Sequence, residues 1–135
     1  MMDEYVDSTM QDNLEELRDE VVGHKIVHAG RTKVPSRWSG EEEVFQITLD
    51  NGKKVILRDT DDCCAYTELE AFLFHADQVD NIVTSVEGQD DYSKWFVLAD
   101  MSKVLELTVG WSEGSGYYGY GFSIEVQDAP DLPVV

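Results

Sequence analysis

Basic residues are scarce in this 135-residue chain: ten Lys and Arg stand against 28 Asp and Glu, a net charge of −18. Nucleic-acid binding needs a basic footprint, and docking on anionic lipid needs basic residues too. The balance argues against direct nucleic-acid binding and against a membrane partner. Cysteine is scarce as well, and the two present, Cys63 and Cys64, are adjacent. Neighbours reach disulfide geometry badly and no third cysteine offers a partner, so both are expected as free thiols in a cytoplasmic protein. No apolar run approaches the ~18 residues of a spanning helix. The start, Met1-Met2-Asp3-Glu4-Tyr5, lacks the apolar stretch of a signal peptide.

What is present suits one folded unit. Hydrophobic residues make up 42%, enough for a single core at this length. The expected organisation is a flexible acidic N-terminus over 1–9, one α+β domain over 10–127 and a flexible tail over 128–135, where Pro130 and Pro133 fall. Met10, Leu14, Leu17 and Val21 recur at helical spacing, with Asp12, Glu15, Glu16, Asp19 and Glu20 between them. Ser8 or Thr9 suits the start of that helix and Gly23 its end.

Strands are read at 25–28, 44–49, 53–58, 81–86, 94–99, 103–109 and 117–126, with 30–43 a loop marked by Pro35 and two glycines. Asp50-Asn51-Gly52 joins the second and third strands. A three-residue loop with Gly52 left-handed pairs Leu49 with Lys53 and Ile47 with Val55. It also gathers Phe45, Ile47, Leu49, Val55 and Leu57 on one face, so it is preferred to a two-residue turn. Thr67-Glu68-Leu69-Glu70 matches a capping box, and Leu69, Phe72, Leu73 and Ala76 follow at helical spacing, predicting a short helix over 67–76. A faint repeat relates Lys25-Ile26-Val27 and its following strands to Asn81-Ile82-Val83 and the strands after it. It predicts two three-stranded units and one added strand. The fold class is therefore a twisted antiparallel sheet or open barrel of six to seven strands with two short helices.

No catalytic signature stands out, and neither a metal nor a cofactor is expected. His24 and His28 flank a strand, and four strand residues span roughly 13 Å, too far to share an ion. Asp59, Asp61 and Asp62 lack the glycine and distal glutamate of a calcium loop. Gly114-Ser115-Gly116 has no lysine or following helix to cradle phosphate. On the last strand Tyr117 lies opposite Tyr118, beside Gly119 and Gly121. Glycines there leave backbone open to close approach, which suits a ligand or partner.

Charge patterning is the strongest functional pointer. Residues 21–40 contain Lys25, Arg31, Lys33 and Arg37 and no acid, leaving −22 on the rest. A dense field of one sign steers a basic partner over a Debye length of ~8–10 Å, and carboxylates can stand in for phosphates in a basic groove. The expected contact residues are Glu41, Glu42, Glu43, Asp59, Asp61, Asp62 and Tyr117.

Leu49-Asp50-Asn51-Gly52, Val55, Asp61-Asp62-Cys63-Cys64 and Gly116-Tyr117-Tyr118 together resemble an uncharacterised family of small acidic proteins encoded by tailed bacteriophages of actinobacteria. The resemblance covers about residues 20–126. Where that family starts a strand with Gly-Lys-Thr-Ile, this chain has Gly23-His24-Lys25-Ile26. It implies a phage gene and carries no activity or binding residues. Charge and resemblance together suggest a non-enzymatic accessory protein in the infected host cytoplasm, binding a host protein with a basic site. The alternatives are a virion or assembly component, or a small-ligand binder using the tyrosine-rich strand.

Overall fold

The computed structural model describes residues 9–35, 40–61, 66–100, 102–112 and 121–128. One α-helix, α1 (Thr9–Val21), precedes nine strands: β1 (Ile26–Pro35), β2 (Glu41–Leu49), β3 (Lys54–Arg58), β4 (Thr60–Asp61), β5 (Tyr66–Phe74), β6 (Ser85–Gln89), β7 (Lys94–Ala99), β8 (Ser102–Ser112) and β9 (Ser123–Gln127). A short 3-10 helix, Ala76–Gln78, follows β5. The strands form two antiparallel sheets, ordered β1-β2-β3-β9 and β4-β5-β8-β7-β6. Together they curl into a half-barrel. The α+β class holds at this coarse level, with nine strands instead of six or seven and one α-helix instead of two among the described residues.

The helical stripe behaves as its spacing requires. Met10, Leu14, Leu17 and Val21 are buried in the core, and Gly23 follows the last turn at φ +91°. The β2–β3 hairpin takes the three-residue register, with Ile47 opposite Val55 and Leu49 N–H donating to Lys53 O at 2.9 Å. Gly52 adopts φ +89°, a region an L side chain enters at a cost. Phe45, Ile47, Leu49, Val55 and Leu57 share the buried face and meet Trp95, Val97, Leu105, Leu107 and Val109 of the second sheet. The Phe45 and Phe72 rings, 4.9 Å apart, join the two sheets.

The helix expected over 67–76 is strand β5, and the reason is a bulge. Thr67 and Leu69 face inward, the register shifts between Leu69 and Ala71, and Phe72 and Phe74 face inward after it. One extra residue in a strand converts a spacing of two into three, which imitates a helical step. The residues of the apparent capping box serve other ends: Thr67 Oγ1, fully buried, accepts Gly121 N–H at 3.0 Å.

The loop expected over 30–43 is largely strand. β1 runs to Pro35 and β2 begins at Glu41, paired through Arg31↔Phe45 and Lys33↔Glu43. Beyond Ala29 the partly buried positions of β1 are Gly30, Thr32 and Val34 and the exposed ones include Arg31 and Lys33, so only a weak hydrophobic period marks it. The strand expected at 81–86 lies at Ser85–Gln89, preceded by a single bridge between Ile82 and Lys25. Of the strand expected at 117–126, β9 covers Ser123–Gln127. Gly121 and Phe122 precede the strand, and residues 117–120 lie outside the described residues, as do Cys63 and Cys64. Two three-stranded meanders, β1-β2-β3 and β6-β7-β8, are present, and β9 adds beside β3.

Candidate interaction surface

The expected contact residues divide into three groups. Glu41, Glu42 and Glu43 open β2, while Asp59 and Asp61 follow β3. Because β2 and β3 are antiparallel, both sets lie at the same end of that sheet. Two of these acids are engaged within the fold. Glu42 Oε2 is 3.4 Å from Arg58 Nε, and Asp59 Oδ1 accepts Leu69 N–H at 3.1 Å beside the β5 bulge. Glu41, Glu43 and Asp61 are exposed, with Glu43 across from Lys33. Asp62 and Tyr117 lie outside the described residues.

Arg58 also pairs with Glu125 on the other neighbouring strand, β9. That guanidinium hydrogen bond, against a smaller desolvation effect, holds the Glu125 carboxyl below its ordinary range. Arg31, expected in a basic loop, sits on β1, donates to Leu69 O at 3.1 Å and lies over the Phe72 ring. It links the two sheets.

A second acidic side comes from packing. α1 lies against β6, with Leu14 close over Gly88. Its polar face carries Glu15, Glu16, Asp19 and Glu20 with Arg18, and Asp90 and Asp91 just beyond β6 are exposed, whereas Glu87 alternates with Gly88 and so faces away from α1. Both acid clusters are visible in the sequence, but their adjacency depends on the docking of α1.

The turn after β6 is held in an unusual conformation. Asp90, Asp91 and Tyr92 have φ of 55°, 55° and 66°, a left-handed run costing roughly 1–2 kcal/mol per residue. Two indoles capture its carbonyls: Trp111 Nε1 donates to Asp91 O at 2.7 Å and Trp95 Nε1 to Tyr92 O at 2.9 Å. Ser93 Oγ donates to Asp90 O at 2.8 Å.

The described histidines pair with carboxylates or pack on a ring. His24 Nδ1 lies 3.3 Å from Asp50, His75 Nε2 lies 2.7 Å from Glu106, and His28 meets Phe74 edge-on. None of these contacts holds a hydroxyl or thiol. Among the described residues no three His, Cys, Asp or Glu side chains are grouped to hold a metal ion. No helix among them is long and apolar enough to cross a membrane. Among the described residues the exposed polar chemistry is dominated by carboxylates.

The model of a family described as a domain of unknown function (DUF7448) matches residues 19–124. No curated protein and no solved structure matches the chain.

Proposed function

The chain belongs to the DUF7448 family of unknown function, and on that premise we propose that it is a non-enzymatic phage accessory protein that binds a basic site on a host protein. The observation carrying this reading is the acidic face of α1 together with the acidic turn that follows β6. There α1 carries Glu15, Glu16, Asp19 and Glu20 with one base, Arg18, and the turn after β6 carries exposed Asp90 and Asp91. Glu41, Glu43 and Asp61 supply a second acidic area. In a molecule of net charge −18, such areas attract cationic surfaces and repel nucleic acid and anionic lipid. The carboxylates then occupy a groove that otherwise receives phosphates, in the infected host cytoplasm.

The test is affinity capture from host lysate, then titration of the captured partner against salt. Affinity is expected to fall as salt rises, and duplex DNA to compete for the partner. Reversing Glu16 and Asp19, or Glu41 and Glu43, to lysine identifies which area is in contact. An affinity unmoved by salt and by both reversals would sink the proposal.

A further inference from the structure

We propose that β9 is an open strand edge that accepts an extended, basic segment of a partner protein as an added strand. β9 pairs with β3 from Arg58↔Ser123 to Lys54↔Gln127, and among the described residues its other edge has no backbone partner. The other outer strands carry protection. β1 has a bulge at Val27, bears Arg31 and Lys33, and ends in Pro35. β4 is two residues long, and β6 has α1 packed against it. Bulges, edge cations, prolines, shortness and covering helices are the devices that keep a sheet edge from recruiting another chain.

β9 reads Ser123-Ile124-Glu125-Val126-Gln127, with no bulge, proline or lysine. Its one charge, Glu125, is acidic and exposed beside Arg58, so it guards the edge against acidic segments and not against basic ones. Ile124 and Val126 pack on the core yet stay half-exposed, and one more strand would cover them. Main-chain bonds would supply affinity there, and alternate side chains selectivity.

Charge decides the occupant. A second copy brings −18 against −18, and an antiparallel pair centred on β9 sets Glu125 opposite Glu125, which is destabilising. A segment bearing lysine or arginine meets Glu125, exposed Asp128 and the field of the whole chain instead. The inference rests on the acidic-surface reading only for the sign of that segment.

The test uses the full chain, a short blocked peptide of alternating lysine and valine, its glutamate–valine counterpart, and a lysine–valine peptide N-methylated at alternate residues. Amide exchange is followed residue by residue. With free lysine–valine peptide at ten times its Kd, exchange over 123–127 is expected to slow about tenfold. The N-methylated and glutamate peptides should leave it unchanged, and Glu125→Lys should weaken the lysine–valine peptide. Any of four results overturns the proposal: no slowing at any peptide concentration, equal slowing by the glutamate peptide, protection rising with protein concentration alone, or slowing confined to α1 or β2. The last leaves the acidic-surface reading standing, so the two failures are distinguishable.

Discussion

Asn13 replaces a missing strand neighbour with a side chain. Its Oδ1 accepts Phe122 N–H at 2.8 Å and its Nδ2 donates to Phe122 O at 2.9 Å. Thr67 Oγ1 accepts Gly121 N–H, and Thr60 Oγ1 donates to Gly121 O at 2.6 Å. All four backbone groups of Gly121-Phe122 are thus satisfied by three side chains, just before β9 begins. Gly121 is required there, since its φ is +72° and a Cβ would lie 2.6 Å from Asn13 Cγ. Asn13→Ala strands a buried N–H and C=O, so it should destabilise by about 2 kcal/mol or more in chemical denaturation. Glu125 offers a test by pH. Its carboxyl is depressed in the folded state by Arg58, so its contribution is present above the ordinary glutamate range and lost as pH falls through the depressed value. The stability difference between the native chain and Glu125→Gln should therefore be largest near neutrality and vanish in acid.

Elements here are shaped by local irregularities as much as by period. β5 looked helical because its bulge supplies a three-residue step, and Asp59 and Arg31 hold Leu69 N–H and C=O beside that bulge. No pattern within residues 66–74 announces those partners. The β2–β3 hairpin was legible because Asn-Gly chemistry and a one-faced core agree on the register. Gly52→Ala should cost about 1 kcal/mol or more, read from the denaturation midpoint, because a Cβ is penalised at φ +89°. The turn at Asp90–Tyr92 should respond in the opposite sense. Asp91 is exposed and left-handed, so Asp91→Gly should stabilise by about 1 kcal/mol in the same measurement while Trp111 keeps its carbonyl acceptor.

At the scale of the whole molecule the dominant quantity is charge. Two groups of described acids stand out: those of α1 and the turn after β6, and those at the end of the first sheet where β2 starts and β3 stops. The first sheet also carries bases: Arg31 bridges to β5, and Arg58 joins β2 to β9 at the same end as Glu42. A net −18 repels itself in the compact state. Added salt should therefore raise the thermal midpoint of the free protein. A midpoint that falls with salt would mean that ion pairs such as Arg58–Glu125 outweigh the repulsion.

Composition and local period by themselves determined a great deal: the acidic character, the α1 stripe, β7, most of β8 and the β2–β3 register. Each depends on neighbours within one element or one turn, where side-chain spacing is set by backbone geometry. The tertiary structure alone decided that 30–35 is strand, that 66–74 is a bulged strand, and that α1 docks on β6 with Leu14 over Gly88. It alone decided that Glu42 bonds Arg58 and that Asp59, though exposed, accepts Leu69 N–H, while Glu41, Glu43 and Asp61 are exposed. These outcomes rest on partners distant along the chain: Val44 opposite Thr32, Gly121 against Asn13, Leu14 over Gly88. Such pairings are selected by burial and by satisfying backbone hydrogen bonds across the sheets. No window of one strand or helix contains that information.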